Sequence, residues 1–331
     1  MRMLDSTNQP DSDANVINLL GHGLTWVLAL AIFWPAISGS KVLGFGDAAS
    51  LYQPLFEWTS QQWLNGEIPL WCPLDNWGAP VVADAASGVF YPLKAIFLLR
   101  LLPFAVLFSL FTLAHVLLAV YGARWCGLCS GLSISAAWWV GISYGFGGCV
   151  LFQSSNTVFL IGSAWLPIAM GWIIQYSQRP QLSCLSALGC VLGMMILGGD
   201  PQMAFHCMII ACIGWWITSN RAPIKNNWLI RVRDIAFPLI VTGMIAFLLS
   251  AIQILPSLEW SQKSERSSFE NNRSVYRSLG VELEQGETPA NYRPWVRPQV
   301  GTHQEAIYEF SQPPWSLLQM IWPNLLGTQN P

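Results

Sequence analysis

The 331-residue chain is 53% hydrophobic and only 10% charged, and its formal net charge is −2. A soluble domain usually carries about 25% charged residues, so this chain has too little charge to cover a water-exposed surface of its size. The near-neutral balance gives no electrostatic basis for binding nucleic acid. Its 18 Trp favour a membrane setting, because indole rings concentrate at the membrane–water boundary. The composition predicts an all-α, polytopic membrane protein.

Apolar runs of about 17–25 residues are long enough to cross a bilayer as helices. The chain contains about seven runs that meet or approach this length. They cover residues 16–37, 104–121, 132–152, 158–176, 182–198, 202–218 and 235–255. The fifth and sixth are short and are separated only by Gly199-Asp200-Pro201, so a re-entrant pair is an alternative to two spans. The first run lacks a basic flank and a cleavage site, so we expect it to remain as a span.

The basic residues indicate how these spans are oriented. With a cytoplasmic N-terminus, the inner connections carry Arg124, Arg179, Arg221, Lys225, Arg231 and Arg233, whereas the outer ones carry Lys41, Lys94 and Arg100. Because cytoplasmic loops are enriched in Lys and Arg, this bias predicts that the N-terminus is inside. It also argues against a span at residues 90–103, which we expect to form an interfacial helix along the outer leaflet.

These assignments divide the chain into three parts. Residues 1–15 are predicted to be a disordered cytoplasmic tail. Residues 16–256 form the transmembrane domain, including a first outer loop at 38–103. Residues 257–331, rich in Arg, Glu, Ser and Pro, are expected to be an extracytoplasmic segment that begins a larger outer region.

The outer loop contains the first candidate for chemistry, Asp47. Leu51, Leu55, Trp58 and Gln62 recur at helical spacing and predict an amphipathic helix over residues 48–64. Asp47 immediately precedes this helix, and Asp is a favoured N-cap residue. A carboxylate at the outer face could also accept a proton from a hydroxyl nucleophile, as a general base does. The two roles are compatible, because a cap would also orient the carboxylate.

Two further aspartates have similar pairs of interpretations. Asp84 is either a solvated loop residue or a second outer carboxylate that binds a divalent metal with Asp47 or positions an acceptor. Asp200 interrupts two apolar runs, and an ionisable residue at such a depth is a functional hypothesis by default. It could instead cap the helix that begins at Pro201. His206 is a possible polar partner for Asp200 or a donor to phosphate.

Other polar residues in the apolar runs favour structural roles. His115 lies within the second span, where we expect it to hydrogen-bond another helix. Gln253 and Glu259 could meet Asp200 in a common cavity. Cys126 and Cys129 form a C-x-x-C, but no second pair or nearby His completes a metal site, and we expect a structural role. The chain has neither a P-loop nor a Rossmann glycine pattern, which argues against a soluble nucleotide site.

An ordered series of short motifs resembles the YfhO-type bacterial membrane proteins over roughly residues 40–331. In the outer loop the series comprises Gly46-Asp47, Tyr52-Gln53-Pro54, Asn65 to Trp71, Trp77-Gly78 and Phe90-Tyr91-Pro92-Leu93. It continues with Leu113-Ala114-His115, Ser143 to Gly148, Trp165-Leu166-Pro167, Gly198 to Gln202, Gln253 to Glu259, Pro313-Pro314-Trp315 and Trp322-Pro323-Asn324. Proteins of this family are usually much longer, so the resemblance implies an N-terminal portion of such a protein.

These proteins are similar to the GT-C superfamily of membrane glycosyltransferases. The resemblance implies that the chain transfers a sugar from a polyprenyl-phosphate carrier to an extracytoplasmic glycan or polymer acceptor, in the bacterial cytoplasmic membrane. Asp47 matches the acidic base of the first outer loop, and Asp84 and Asp200 fall at family-like positions. Lys41, Lys94, Arg100 or His206 would stabilise the leaving phosphate. The usual D-x-D or E-x-D pair is absent around Asp47, so metal dependence stays open.

A transporter or lipid flippase without covalent chemistry is the main alternative. The interrupted helix at residues 198–201 and the intramembrane His115 are features that transporters also use. The sequence shows no inverted repeat, however, and alternating access does not require a long amphipathic outer loop. A truncated chain that is inactive alone is a third possibility.

Overall fold

A computed structural model of the protein describes residues 11–73, 78–99, 102–220 and 228–263. Within these ranges the chain is helical, apart from turns and one isolated antiparallel bridge between Cys72 and Ala79. The α-helices are α1 (Asp11–Ile37), α2 (Gln53–Leu64), α3 (Phe104–Cys129), α4 (Ile134–Gly145), α5 (Gly148–Phe152), α6 (Thr157–Gln178), α7 (Leu182–Leu197), α8 (Pro201–Asn220) and α9 (Trp228–Lys263). The predicted all-α class is confirmed.

Six helical stretches of the described chain are long and apolar enough to cross a membrane. They are Asp13–Ile37, Phe104–Cys129, Ile134–Ser155, Thr157–Gln178, Pro201–Thr218 and Val232–Gln262. The apolar helix Leu182–Leu197 is shorter, as its sequence indicated. The third stretch is not continuous, because α4 ends at Gly145 and α5 begins at Gly148. The architecture is that of a multi-pass helical membrane protein.

The ends of the spanning region differ from the prediction. Helix α1 begins at Asp11, so residues 11–15 are helical rather than disordered. Helix α9 continues to Lys263, so the first residues assigned to the outer segment 257–331 extend the last helix. The rest of that segment, and residues 1–10, lie outside the described ranges.

Helices α3 and α6 form the centre of the bundle. About three-fifths of each of their apolar spans is buried, 61% in α3 and 56% in α6, compared with 22% in α1. Glycines allow the two helices to approach closely, because small residues at an interface let helix backbones come together. Gly122 of α3 faces Pro167, and Gly171 of α6 accommodates the ring of Trp125.

The outer loop packs on one end of the bundle. Gly46 lies against Ser155 at the turn before α6, and Gly199 at the α7–α8 turn lies against the carbonyl oxygen of Ala85. The hydroxyl of Ser257 in α9 donates to the carbonyl oxygen of Ala83 at 2.8 Å. The outer loop, the turn before α6, the α7–α8 turn and the C-terminal part of α9 therefore lie at the same end of the bundle. The predicted order of spans places all four on one side of the membrane. The assignment of this end to the outer side of the membrane stays a prediction.

The predicted loop helix is present, but its most deeply buried residues are not those of the predicted apolar stripe. The chain forms a π-helical turn over Ala48–Tyr52 and continues as α2. Leu51 of the predicted apolar stripe is 42% exposed, whereas Ala48, Tyr52 and Phe56 are buried. The wider π turn, with i→i+5 hydrogen bonding, places the residues of this segment at different angles from those of a regular α-helix.

The predicted interfacial helix at residues 90–103 is a 3-10 helix over Pro92–Leu98. It packs against α2 and α3. Lys94 and Phe97 are buried on one side of this helix, whereas Leu93 and Leu98 on its other side are exposed. The interfacial position of this segment stays a prediction. Arg100, near the end of the predicted segment, lies outside the described residues.

Replacement of Gly171 by Ala should destabilise the bundle, because the new methyl group would overlap the Trp125 ring. Over-packing of this kind costs roughly 1–3 kcal/mol. The matched control is Gly214→Ala in α8, where a methyl group would meet no atom within 4 Å. We expect a lower thermal unfolding midpoint in detergent for the first variant only. Equal midpoints for both variants would contradict the close α3–α6 contact.

Candidate functional site

A hydrogen-bonded chain links the outer loop to the start of α6. The Tyr52 hydroxyl donates to Oδ1 of Asn156 at 2.8 Å, and Nδ2 of Asn156 donates to Oδ2 of Asp47 at 3.4 Å. Asn156 is the residue immediately before α6. The exposed carboxylate of Asp47 is therefore held beside a helix N-terminus, where unpaired backbone N–H groups favour negative charge.

Asp47 occupies the N-cap position of the π turn, but its side chain makes no cap hydrogen bond. Its backbone has φ −63° and ψ −20°, which is helical. An N-cap side chain usually reaches the N2 or N3 amide from an extended backbone, so this conformation does not provide the cap. The capping hypothesis is wrong for the side chain, and the carboxylate is directed to Asn156 instead.

Asp84 lies near the same tyrosine. Its Oδ1 accepts a hydrogen bond from the Ala86 amide at 3.0 Å and caps the 3-10 turn Ala85–Ser87. Burial raises the pKa of Tyr52 to about 12, and the negative charges of Asp47 and Asp84 add to this effect. The charges of both carboxylates thus raise the pKa of the same residue, Tyr52. Within the described ranges, no group of three or more His, Cys, Asp or Glu side chains is arranged to hold a metal ion.

Lys94 is the buried cation of the outer loop. It is only 9% exposed, and its ammonium group lies 3.1 Å from the centroid of the Phe56 ring. Nζ also donates to the carbonyl oxygen of Ser87. Burial lowers the pKa of Lys94, whereas the charge of Asp84 opposes this change. Lys94 therefore interacts electrostatically with one of the two loop carboxylates.

A cavity of about 250 Å³ opens beside Lys94. Its walls are mainly aromatic and apolar, with the hydroxyls of Thr59 and Ser60 as polar additions. The lining residues are Phe56, Thr59, Ser60, Trp63, Val89, Phe90, Tyr91, Pro92, Lys94, Ala95, Phe97 and Leu98. An apolar pocket with a few convergent polar groups is the usual form of a small-molecule site.

One wall of this cavity is fixed by a buried hydrogen-bond network. Nε1 of Trp165 donates to the Tyr91 hydroxyl at 2.9 Å, and this hydroxyl pairs with Nε2 of His115 at 2.8 Å. Nδ1 of His115 pairs with the Phe111 carbonyl oxygen at 2.8 Å, which can only accept. Neutral His115 with its proton on Nδ1 satisfies every member of this network. His115 was expected to hydrogen-bond a residue of another helix, but its side-chain partner is Tyr91 of the loop.

Asp200 caps helix α8. Its Oδ1 accepts from the Met203 amide at 2.9 Å, whereas its buried Oδ2 has no partner in the described chain. A side chain at Gly162 of α6 would overlap Oδ2. Burial raises the pKa of Asp200. The cap hypothesis is confirmed, and the unpaired oxygen leaves a functional role open.

Several other predicted site residues are not brought into this arrangement. His206 is exposed on α8 and is a polar neighbour of Asp200, as predicted, because its charge partly opposes the effect of burial on the pKa of Asp200. Lys41 is exposed, and Arg100 lies outside the described residues. Nε2 of Gln253 donates to the Val82 carbonyl oxygen at 2.7 Å instead of meeting Asp200.

The C-x-x-C pair lies in the last turn of α3, away from the outer loop. All eight cysteines, including Cys126 and Cys129, are free thiols. Nε2 of Gln175 lies 3.4 Å from the Cys129 sulfur. The pair therefore contributes to packing at this end of α3, as expected.

Tyr52, Tyr91, Asn156 and Trp165 were not selected as site residues from the sequence. Three of them, Tyr52, Tyr91 and Trp165, fall within the motifs that carry the family resemblance. Asn156 had no such signal, because its role depends on a contact with Asp47, which is 109 residues away along the chain.

No family model, curated protein or solved structure matches this chain.

The Asp200 carboxyl should make stability depend on pH. The carboxyl has a pKa near 3.9 in the unfolded chain and a higher pKa in the folded protein. Between these two values, the folded protein keeps the proton and the unfolded chain has released it. Stability therefore falls as the pH rises from about 4 through the folded-state pKa. Asp200→Asn keeps the cap acceptor but cannot ionise, so thermal unfolding midpoints in detergent should lose this decline. The control Glu67→Gln, at an exposed carboxylate, should retain it, and an unchanged decline in Asp200→Asn would show that another group is responsible.

Proposed function

We propose that this protein is a membrane glycosyltransferase of GT-C type that uses a polyprenyl-phosphate-linked sugar. The observation that carries the proposal is the position of Asp47: an exposed carboxylate at the loop-covered end of the bundle, oriented by Asn156 at the start of α6. A general base needs both access to the acceptor and a fixed orientation. Asp47 has both.

In the proposed reaction, Asp47 accepts the proton of an acceptor hydroxyl. The hydroxyl oxygen attacks the anomeric carbon of the sugar, and the bond from this carbon to the carrier phosphate breaks. The phosphate leaves with the electron pair of that bond. An isoprenoid carrier requires no soluble nucleotide site, in agreement with the absence of such motifs from the sequence.

Lys94 is the described cation best placed to assist the leaving group. It lines the cavity and interacts with Asp84. A phosphate entering the cavity would favour the protonated amine, because an opposite charge nearby stabilises the charged form. Two hydrogen bonds at the Tyr91 hydroxyl fix the position of this residue in the cavity wall.

The convergence of separate motifs also supports the proposal. Asp47, Tyr52, Tyr91, His115 and Trp165 belong to motifs of the resemblance and are far apart along the chain. The structure joins them into two hydrogen-bonded groups, one around Asn156 and one around the Tyr91 hydroxyl.

Replacement of Asp47 by Asn should lower sugar transfer by about 10²–10⁴-fold, the usual contribution of general base catalysis. The full chain is reconstituted in liposomes with radiolabelled polyprenyl-phosphate-linked sugars and an added glycan acceptor, and movement of label from the carrier lipid to the acceptor is followed. Glu57→Gln is the matched control, since Glu57 is also exposed on the outer loop. The control should retain activity. Full transfer by Asp47→Asn, with normal thermal stability, would exclude this mechanism.

A lipid flippase or transporter is the second candidate, because Oδ2 of Asp200 is buried without a described partner at a helix break. Unpaired ionisable groups at broken helices are typical of transport pathways. The same liposomes distinguish the two activities. Movement of the labelled lipid between leaflets without any cleavage of its sugar bond would favour transport.

A further inference from the structure

A second polar cluster lies at the opposite end of the bundle, in the groove between α1, α3 and α4. We define the Arg124 cluster as Asn18, His22, Tyr121, Arg124 and Trp138. Nη2 of Arg124 donates to Oδ1 of Asn18 at 2.7 Å, and Nε1 of Trp138 donates to the same oxygen at 3.1 Å. The Arg124 guanidinium lies over the Trp138 ring, 4.5 Å from its centroid.

The charge of Arg124 has no counter-ion in the described part of the chain. The ion pair found there joins Arg233 to Asp234, on α9. Nε of Arg124 is buried without an acceptor, and Asn18 supplies only a neutral oxygen. An arginine near the end of a spanning helix can direct its charged group to the membrane interface, where lipid phosphates are available as counter-ions.

Neighbouring groups of the cluster add further polar atoms. Nδ1 of His22 and the Tyr121 hydroxyl lie 3.2 Å apart, and His22 is exposed. The His22 ring also packs edge-on against Trp138. Gly141 of α4 makes room for the Arg124 side chain, because a methyl group there would lie 3.0 Å from its Cβ. The cluster thus brings a guanidinium, an imidazole and a phenol together.

The position of Arg124 along α3 leads us to expect the cluster near the boundary between lipid headgroups and acyl chains. Helix α3 has 26 residues and is about 39 Å long, whereas a bilayer core is about 30 Å thick. Arg124 lies five residues before the last residue of α3, which places it about 7.5 Å from the helix end. The flanking faces are apolar and exposed, as Leu20, Leu24 and Trp139 show.

We propose that the Arg124 cluster binds the phosphate group of an anionic membrane phospholipid, whose acyl chains lie along the exposed faces of α1 and α4. Arg suits this ligand because its planar fork can pair two donors with phosphate oxygens. Basic pockets between transmembrane helices are known to hold anionic headgroups. The exposed apolar surface beside the cation favours a lipid over free phosphate. This site is independent of the proposed sugar transfer.

The test uses the purified full chain in detergent, to which phosphatidylglycerol is added. Lipid retention is measured by native mass spectrometry, and the thermal unfolding midpoint is measured over a lipid titration. The wild type should retain the lipid and gain stability as its concentration rises, since a ligand that binds only the folded state stabilises it. Arg124→Gln should weaken binding by about tenfold or more, because it removes charged hydrogen bonds.

The matched control is Arg179→Gln. Arg179 is exposed at the end of α6 and belongs to the same predicted side of the membrane. This control loses the same charge and should bind as the wild type does. Arg124→Lys keeps the charge but loses the fork, and we expect intermediate binding, which also keeps the test valid if Arg124→Gln does not fold.

Three results would overturn the proposal. The first is equal lipid retention by Arg124→Gln and wild type. The second is equal retention of phosphatidylcholine, whose net charge is zero. The third is stabilisation by inorganic phosphate equal to that by phosphatidylglycerol, which would identify a free-anion site. If Arg124 had only a structural role, Arg124→Gln would have a lower unfolding midpoint than the wild type, but added lipid would raise both midpoints equally.

Discussion

The end of α9 holds the outer loop by hydrogen bonds to backbone carbonyl oxygens. Gln253 donates to Val82, and Ser257 donates to Ala83. Non-helical backbone near a membrane must have its polar groups satisfied by protein or water, because lipid offers no donors. These side chains, which lie one helical turn apart on α9, provide this for the turn that precedes Asp84. These hydrogen bonds from α9, the last described helix of the bundle, therefore help to hold the loop in place.

The position of Lys94 follows from this attachment. The turn after Ala83 carries Asp84 and then Ser87, whose carbonyl oxygen accepts from Lys94. Lys94 in turn lies over Phe56, which belongs to the helix that follows Asp47. Burial of an ammonium group is costly without such partners. Lys94 therefore connects the turn at Asp84 and Ser87 to α2 through Phe56.

The spans could be predicted because an apolar run of about twenty residues rarely forms anything other than a membrane-spanning helix. The interior of the loop was less accessible to sequence reasoning. The helical spacing predicted Leu55 and Trp58 correctly as residues that pack against the loop, but it also predicted burial of Leu51, which lies in the π turn and is exposed. The basic character of Lys94 suggested a surface position, and only Phe56 and Ser87 explain its burial. The anchoring of Asp47 by Asn156 depends on a contact between distant segments that no local pattern reports.

The environments of Asp47 and Asp200 assign these carboxylates to different roles. Asp47 is exposed and accepts one hydrogen bond, from Nδ2 of Asn156. Asp200 is buried against Gly162, and burial raises its pKa, which favours the neutral acid. A neutral acid is a poor base but can still cap α8. In the proposed sugar transfer the exposed Asp47 is the base, whereas Asp200 caps α8 at the helix break and keeps one oxygen buried without a hydrogen-bond donor.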